Sequence, residues 1–151
     1  MSSNRTKGRE YALQVLYEID TSGKDSEVAL RDYWENFQAE ADPKLGRASG
    51  NPPEAGTMDF TRVLVEGVTA KRDELDALVE KCSINWRLER MPRVDRNVLR
   101  LACWELTNAT DVPKKVVINE AIELGKRYGS EESGAFINGI LDRVAAEVGR
   151  A

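Results

Sequence analysis

The sequence predicts an all-α fold, and three observations carry that expectation. Apolar residues return at three- and four-residue spacing in one segment after another. Short clusters of Gly, Pro, Ser and Asp separate those segments. No stretch alternates apolar and polar residues between hairpin turns, as a half-buried strand would. The 151 residues suit one compact domain or two small helical halves, and 41% hydrophobic residues suffice for a core. No run of about 18 apolar residues could span a membrane. The charged stretch from Met1 to Glu10 lacks the cleavage site of a secretory signal, so a cytoplasmic location is expected.

The first helix is expected from about Arg9 to Asp20, with Ala12, Leu13, Val15, Leu16 and Ile19 as its apolar stripe. Thr21-Ser22-Gly23 ends it, glycine suiting the left-handed position beyond a helix. Ser26 is the candidate cap of a second helix with Leu30, Tyr33, Trp34 and Phe37 on one side. From Ala41 to Thr57 the pattern stops. Three prolines and three glycines there predict a long surface loop, which could also contact a partner.

Thr57 is the candidate cap of the longest helix, roughly Met58 to Lys81, with Phe60, Val63, Leu64, Gly67, Val68, Leu75, Leu78, Val79 and Cys82 inward. Gly67 inside that helix costs about 1 kcal/mol against alanine, so a close helix–helix approach is expected there. Asn85 can cap a short helix, Trp86 to Arg90, closed by Pro92. Further helices are expected over about Val94–Asn108 and, after the Asp111-Val112-Pro113 break, Lys115–Tyr128. Ser130 is the candidate start of the last helix, whose stripe is Ile137, Ile140, Leu141, Val144 and Val148. That makes seven helices, one of them short.

The chemistry of the side chains excludes more than it offers. There is no histidine, which removes Ser–His and Cys–His catalysis and most zinc sites. Cys82 and Cys103 form no CxxC pair and read as buried apolar thiols. Glu120 and Glu123 are i, i+3 neighbours, but Lys126 and Arg127 follow one turn on and ordinary surface pairing accounts for them. Gly125, Gly129 and Gly134 match no phosphate-binding fingerprint. The chain carries no enzyme signal, and no cofactor is expected.

Charge is unevenly placed. The net charge is −4, yet the first nine residues carry Arg5, Lys7 and Arg9 and no acid. The chain therefore reads as an acidic body with a basic arm, a pattern compatible with nucleic acid despite the overall sign. Arg87, Arg90, Arg93, Arg96 and Arg100 also cluster, and the last three share a helical face. Spacing leaves two readings open, a solvated face with local ion pairs or a phosphate-contacting surface. Phe136 lies off the main stripe of the last helix and likewise reads as a core ring or as a platform for an unpaired base.

Three segments bear a family resemblance. NWRLERMPRVDRNVLRLACWEL (Asn85 to Leu106) resembles the central signature of the NusB family. VPKKVVINEAIELGKRYGSEESGAFINGILDRVA (Val112 to Ala145) is similar to its C-terminal signature, and REYALQVLYEID (Arg9 to Asp20) to its first helix. Together they make up about half of the chain outside the Pro- and Gly-rich segment. The resemblance implies two helical subdomains, here about residues 9–82 with loop 41–57, and 85–148. It implies a transcription antitermination factor that binds the boxA element of ribosomal RNA operons with NusE, a small-subunit ribosomal protein. The pair would then join the RNA polymerase elongation complex.

By position, the family's basic arm corresponds to Arg5, Lys7 and Arg9, its RNA-facing aromatic to Phe136, and an adjacent acidic position to Glu132. Tyr17 and Asp95 correspond to the side expected to meet NusE. The arm departs from the family pattern, since Thr6 and Gly8 separate its three cations where relatives often have a denser cluster. Three phosphate contacts imply a salt slope of about −2 on single-stranded RNA, a roughly twentyfold loss from 50 to 200 mM salt. Two other readings remain at this point: a homodimeric helical scaffold, and the helical portion of an RNA cytosine methyltransferase.

Overall fold

The computed structural model describes residues 4–37, 53–84 and 86–150. Seven α-helices and one 3₁₀ turn make up the described residues, and none of these residues is in a strand. The helices are α1 Asn4–Ser22, α2 Ser26–Glu35, α3 Ala55–Ala70, α4 Arg72–Cys82, α5 Arg93–Asn108, α6 Lys114–Tyr128 and α7 Ser133–Glu147. Among the described residues no helix is long and apolar enough to cross a membrane. The number of helices is the one expected from the sequence, but its composition differs.

The expected short helix is the 3₁₀ turn Leu88–Arg90, and the expected long helix is two. The division falls at Lys71, whose φ of −115° and ψ of 21° leave the helical region. Asp73 and Glu74 then occupy the first turn of α4, where the positive end of the helix dipole favours carboxylates.

Caps explain the other shifted boundaries. The Asp25 side chain, not Ser26, accepts the Glu27 N–H at the start of α2. Thr57 lies inside α3 and is buried, its carbonyl accepting the Thr61 hydroxyl. Pro92 and Pro113 precede α5 and α6 in extended conformation, and each offers its carbonyl to the first turn that follows. Ser130 does not start α7. Its N–H donates to the Ser133 hydroxyl, so residues 130–132 form a turn ahead of the helix. The expected cap Asn85 and residues 41–52 of the expected loop lie outside the described residues, whereas residues 55–57 are helical.

The chain divides into two compact units, residues 1–63 and 64–151, and α3 crosses the boundary. In the first unit α1 packs against α2 and the start of α3. Tyr11, Tyr33, Trp34 and Phe37 form an aromatic cluster there, with most pairs edge-to-face. A Cβ on Gly8 would come within 2.6 Å of Phe60 Cδ2, so the glycine lets that ring lie across α1.

In the second unit α4 packs on α5 and α7, and α6 on both α5 and α7. Val98, Leu99, Cys103, Ile137, Leu141 and Val144 are completely enclosed at its centre. Each such aliphatic side chain contributes about 1.5–3 kcal/mol relative to exposure. Gly67 meets the close approach expected of it, since a Cβ there would run into the Trp104 indole of α5. Cys82 and Cys103 are buried free thiols, as expected. Burial pushes both thiols up from their ordinary range.

Candidate nucleic-acid interface

Residues 5, 7 and 9 do not form a free arm. α1 begins at Asn4, so all three cations ride on its first turns. Arg5 and Lys7 are exposed, but Arg9 is buried at 3% exposure. The Arg5 and Arg9 guanidiniums lie 5.1 and 5.6 Å from the centroid of the same Phe60 ring. Such contacts favour a cation electrostatically and hold its apolar stem. Arg9 is thus engaged inside the first unit, and two cations are left at the surface. Tyr17, farther along α1, is 41% exposed. Its neighbour Glu18 and Asp32 of α2 hold Lys24 between them at 3.5 and 3.3 Å, which raises the Lys24 pKa.

In the second unit the α7 start is built with more constraint. The Ser133 hydroxyl donates to Asp95 Oδ1 at 2.7 Å and accepts from the Ser130 N–H at 2.9 Å. Asp95 is only 4% exposed, so its carboxylate faces the α7 turn and not solvent. The residue expected on the side that meets NusE is therefore a buried one. The physical reason is that α5 enters beneath the Ser130–Ser133 turn, whose hydroxyl the carboxylate satisfies. Burial raises the Asp95 pKa, and the Ser133 hydrogen bond partly offsets that. Glu132 stays exposed beside this turn, within 3.4 Å of the Ser130 hydroxyl.

Phe136 follows one turn later and is half-buried, neither sealed in the core nor free-standing. Its ring meets that of Trp86 edge-to-face, with centroids 5.8 Å apart and planes at 72°. Trp86 was not among the sequence candidates. Fifty residues separate the two rings, and nothing in local spacing could join them.

The arginine cluster divides. Arg100 is 3% exposed and forms a two-point pair with Asp76 of α4, at 2.7 and 3.1 Å. It also donates to Asn97 at 3.1 Å. That pair is structural. Arg87, Arg90 and Arg93 are exposed on the segment leading into α5. Among the described residues no group of His, Cys, Asp or Glu could hold a metal ion.

Comparison with known proteins follows the same outline. The NusB family model matches residues 6–146. The transcription antitermination protein NusB of Anaeromyxobacter dehalogenans is 52% identical over 146 residues, which cover 97% of this chain and 93% of that protein. The T. maritima NusB structure superposes with a TM-score of 0.79 at 34% identity, covering 97% of this chain and 94% of its own. A chain from a crystal structure of the antitermination factors NusB and NusE in complex with dsRNA also reaches 0.79. At 24% identity over 97% of this chain and 99% of that one, it speaks for the fold alone. With the family model spanning nearly its whole length and a relative this similar, the chain belongs to the NusB family.

Proposed function

We propose that this chain captures boxA RNA of ribosomal RNA operons together with NusE and hands the pair to the RNA polymerase elongation complex in the cytoplasm. As a member of its family it is a transcription antitermination factor, and it works by binding, not by catalysis. The observation that carries the RNA part of the proposal is Phe136. Its ring is left half-open on the first turn of α7, which a serine–aspartate hydrogen bond fixes to α5. An aromatic held this way can stack an unpaired base, an interaction that tolerates any base because each has a π-face.

Arg5 and Lys7 supply the long-range attraction. With Arg9 engaged on Phe60, two phosphate contacts replace the three counted from sequence. The expected salt slope falls to about −1.4, roughly a sevenfold loss of affinity from 50 to 200 mM. Glu132 borders the Phe136 surface. Tyr17 is the exposed residue proposed to meet NusE, and Asp95 serves the contact through the turn it supports. A protein of the same fold has been solved together with NusE and double-stranded RNA, which is compatible with both partners. The reported relatives are antitermination proteins, so the methyltransferase reading gains no support.

The test is a titration of boxA RNA, with and without NusE, at 50 and 200 mM salt. Weak binding alone and much tighter binding with NusE are expected, since linked contacts add effective concentration. Equal affinity for boxA and a scrambled RNA of the same length, with NusE present, would overturn the proposal.

A further inference from the structure

Trp86 is a large apolar side chain left 50% exposed, yet its backbone is firmly held. The Ser83 hydroxyl donates to the Trp86 carbonyl at 2.8 Å, and the Leu88 N–H donates to Glu80 Oε2 at 3.0 Å. Both anchors come from the end of α4. Ile84, just ahead of them, sits at φ 39°, a left-handed conformation that a β-branched residue rarely adopts. Such backbone persists only where the surroundings over-determine it, and it concentrates at working surfaces. Trp86 is presented to solvent with its ring set against Phe136.

The charges beside Trp86 are mixed, with Arg87 the cation of its hollow. Arg87 lines the hollow beside Trp86, and Arg90 and Arg93 are exposed further along the segment that leads into α5. Two acids line the same hollow, but Glu80 is engaged by the Leu88 N–H and Glu89 lies 3.7 Å from Arg87. A base stacked on Trp86 would leave its phosphates within the field of Arg87.

We infer that Trp86 is a second stacking platform, receiving an unpaired base next to the one on Phe136, so that two neighbouring nucleotides are held splayed apart. The inference rests on the preceding reading of Phe136. The 72° between the ring planes decides the kind of RNA: bases in a duplex stack nearly parallel and cannot occupy both rings. A kinked single strand can.

The test compares wild type, Trp86→Ala, Trp86→Phe and Phe136→Ala in the full-length chain with NusE. The probes are single-stranded boxA RNA and the same sequence annealed to its complement. Trp86→Ala should weaken single-strand binding about tenfold and leave duplex binding within twofold. Trp86→Phe keeps a ring and should stay within about threefold of wild type, while the RNA-induced quenching of tryptophan fluorescence disappears. Weakening by Phe136→Ala but not by Trp86→Ala would overturn this inference and leave the reading of Phe136 standing. No effect from either variant would overturn both. Should Trp86→Ala fold poorly, the fluorescence of Trp86→Phe decides, since undiminished quenching there places the contact elsewhere.

Discussion

Breaking the Asp76–Arg100 pair should cost the fold far more from one side than from the other. Arg100 keeps only 4% of its side chain exposed, whereas Asp76 keeps 22% and has Arg72 at 3.8 Å. Asp76→Ala therefore strands a guanidinium in the interior of the second unit without its carboxylate. Loss of one partner of a buried pair costs about 3–5 kcal/mol. With a urea dependence of about 2 kcal/mol per molar, the unfolding midpoint should fall by roughly 2 M. Arg100→Met fills most of the volume with an apolar chain and leaves Asp76 near water and near Arg72. Its cost should stay below about 2 kcal/mol, since apolar replacement of buried ions is often close to neutral. Urea denaturation followed by circular dichroism measures both. Equal losses, or a larger loss for Arg100→Met, would refute the argument.

Three further outcomes follow from the geometry. Asp95→Asn should raise the melting temperature at pH 7. The buried carboxyl has a raised pKa, so its protonated form favours folding and that contribution is lost as pH rises. The advantage should vanish near about pH 4, and a pH-independent difference would contradict it. Gly67→Ala should destabilise by about 1–3 kcal/mol through collision with Trp104, despite the better helix propensity of alanine. Thermal unfolding reads this, and a Trp104→Phe partner should recover part of the loss. Replacing Arg5 and Lys7 together with alanine should flatten the salt dependence of RNA binding by about 1.4 in log–log slope. An unchanged slope would remove the start of α1 from the RNA surface.

The helices were legible because each buries one stripe, and periodicity alone locates such a stripe. Gly67 was legible for a similar reason, since a glycine mid-helix needs a neighbour to justify its cost. The break at Lys71 was not, because lysine is a good helix former and nothing local marks the change. The fate of Arg9, Arg100 and Asp95 also lay beyond sequence spacing. Phe60, Asp76 and Ser133 are their partners, 51, 24 and 38 positions away. A charged residue on a helix face looks solvated until the packing supplies such a partner. The candidate site behaves in the same way. Phe136 could be named as an off-stripe aromatic, but its edge-to-face neighbour Trp86 appears only once α7 is packed beside the end of α4.

The most direct measurement is photochemical crosslinking of boxA RNA to the complex of this chain with NusE, with the attached residues mapped by mass spectrometry. Crosslinks should fall on the peptide containing Phe136, on Trp86, and on the first turns of α1 that carry Arg5 and Lys7. Crosslinks confined to other helices, with these peptides unmodified, would contradict the account.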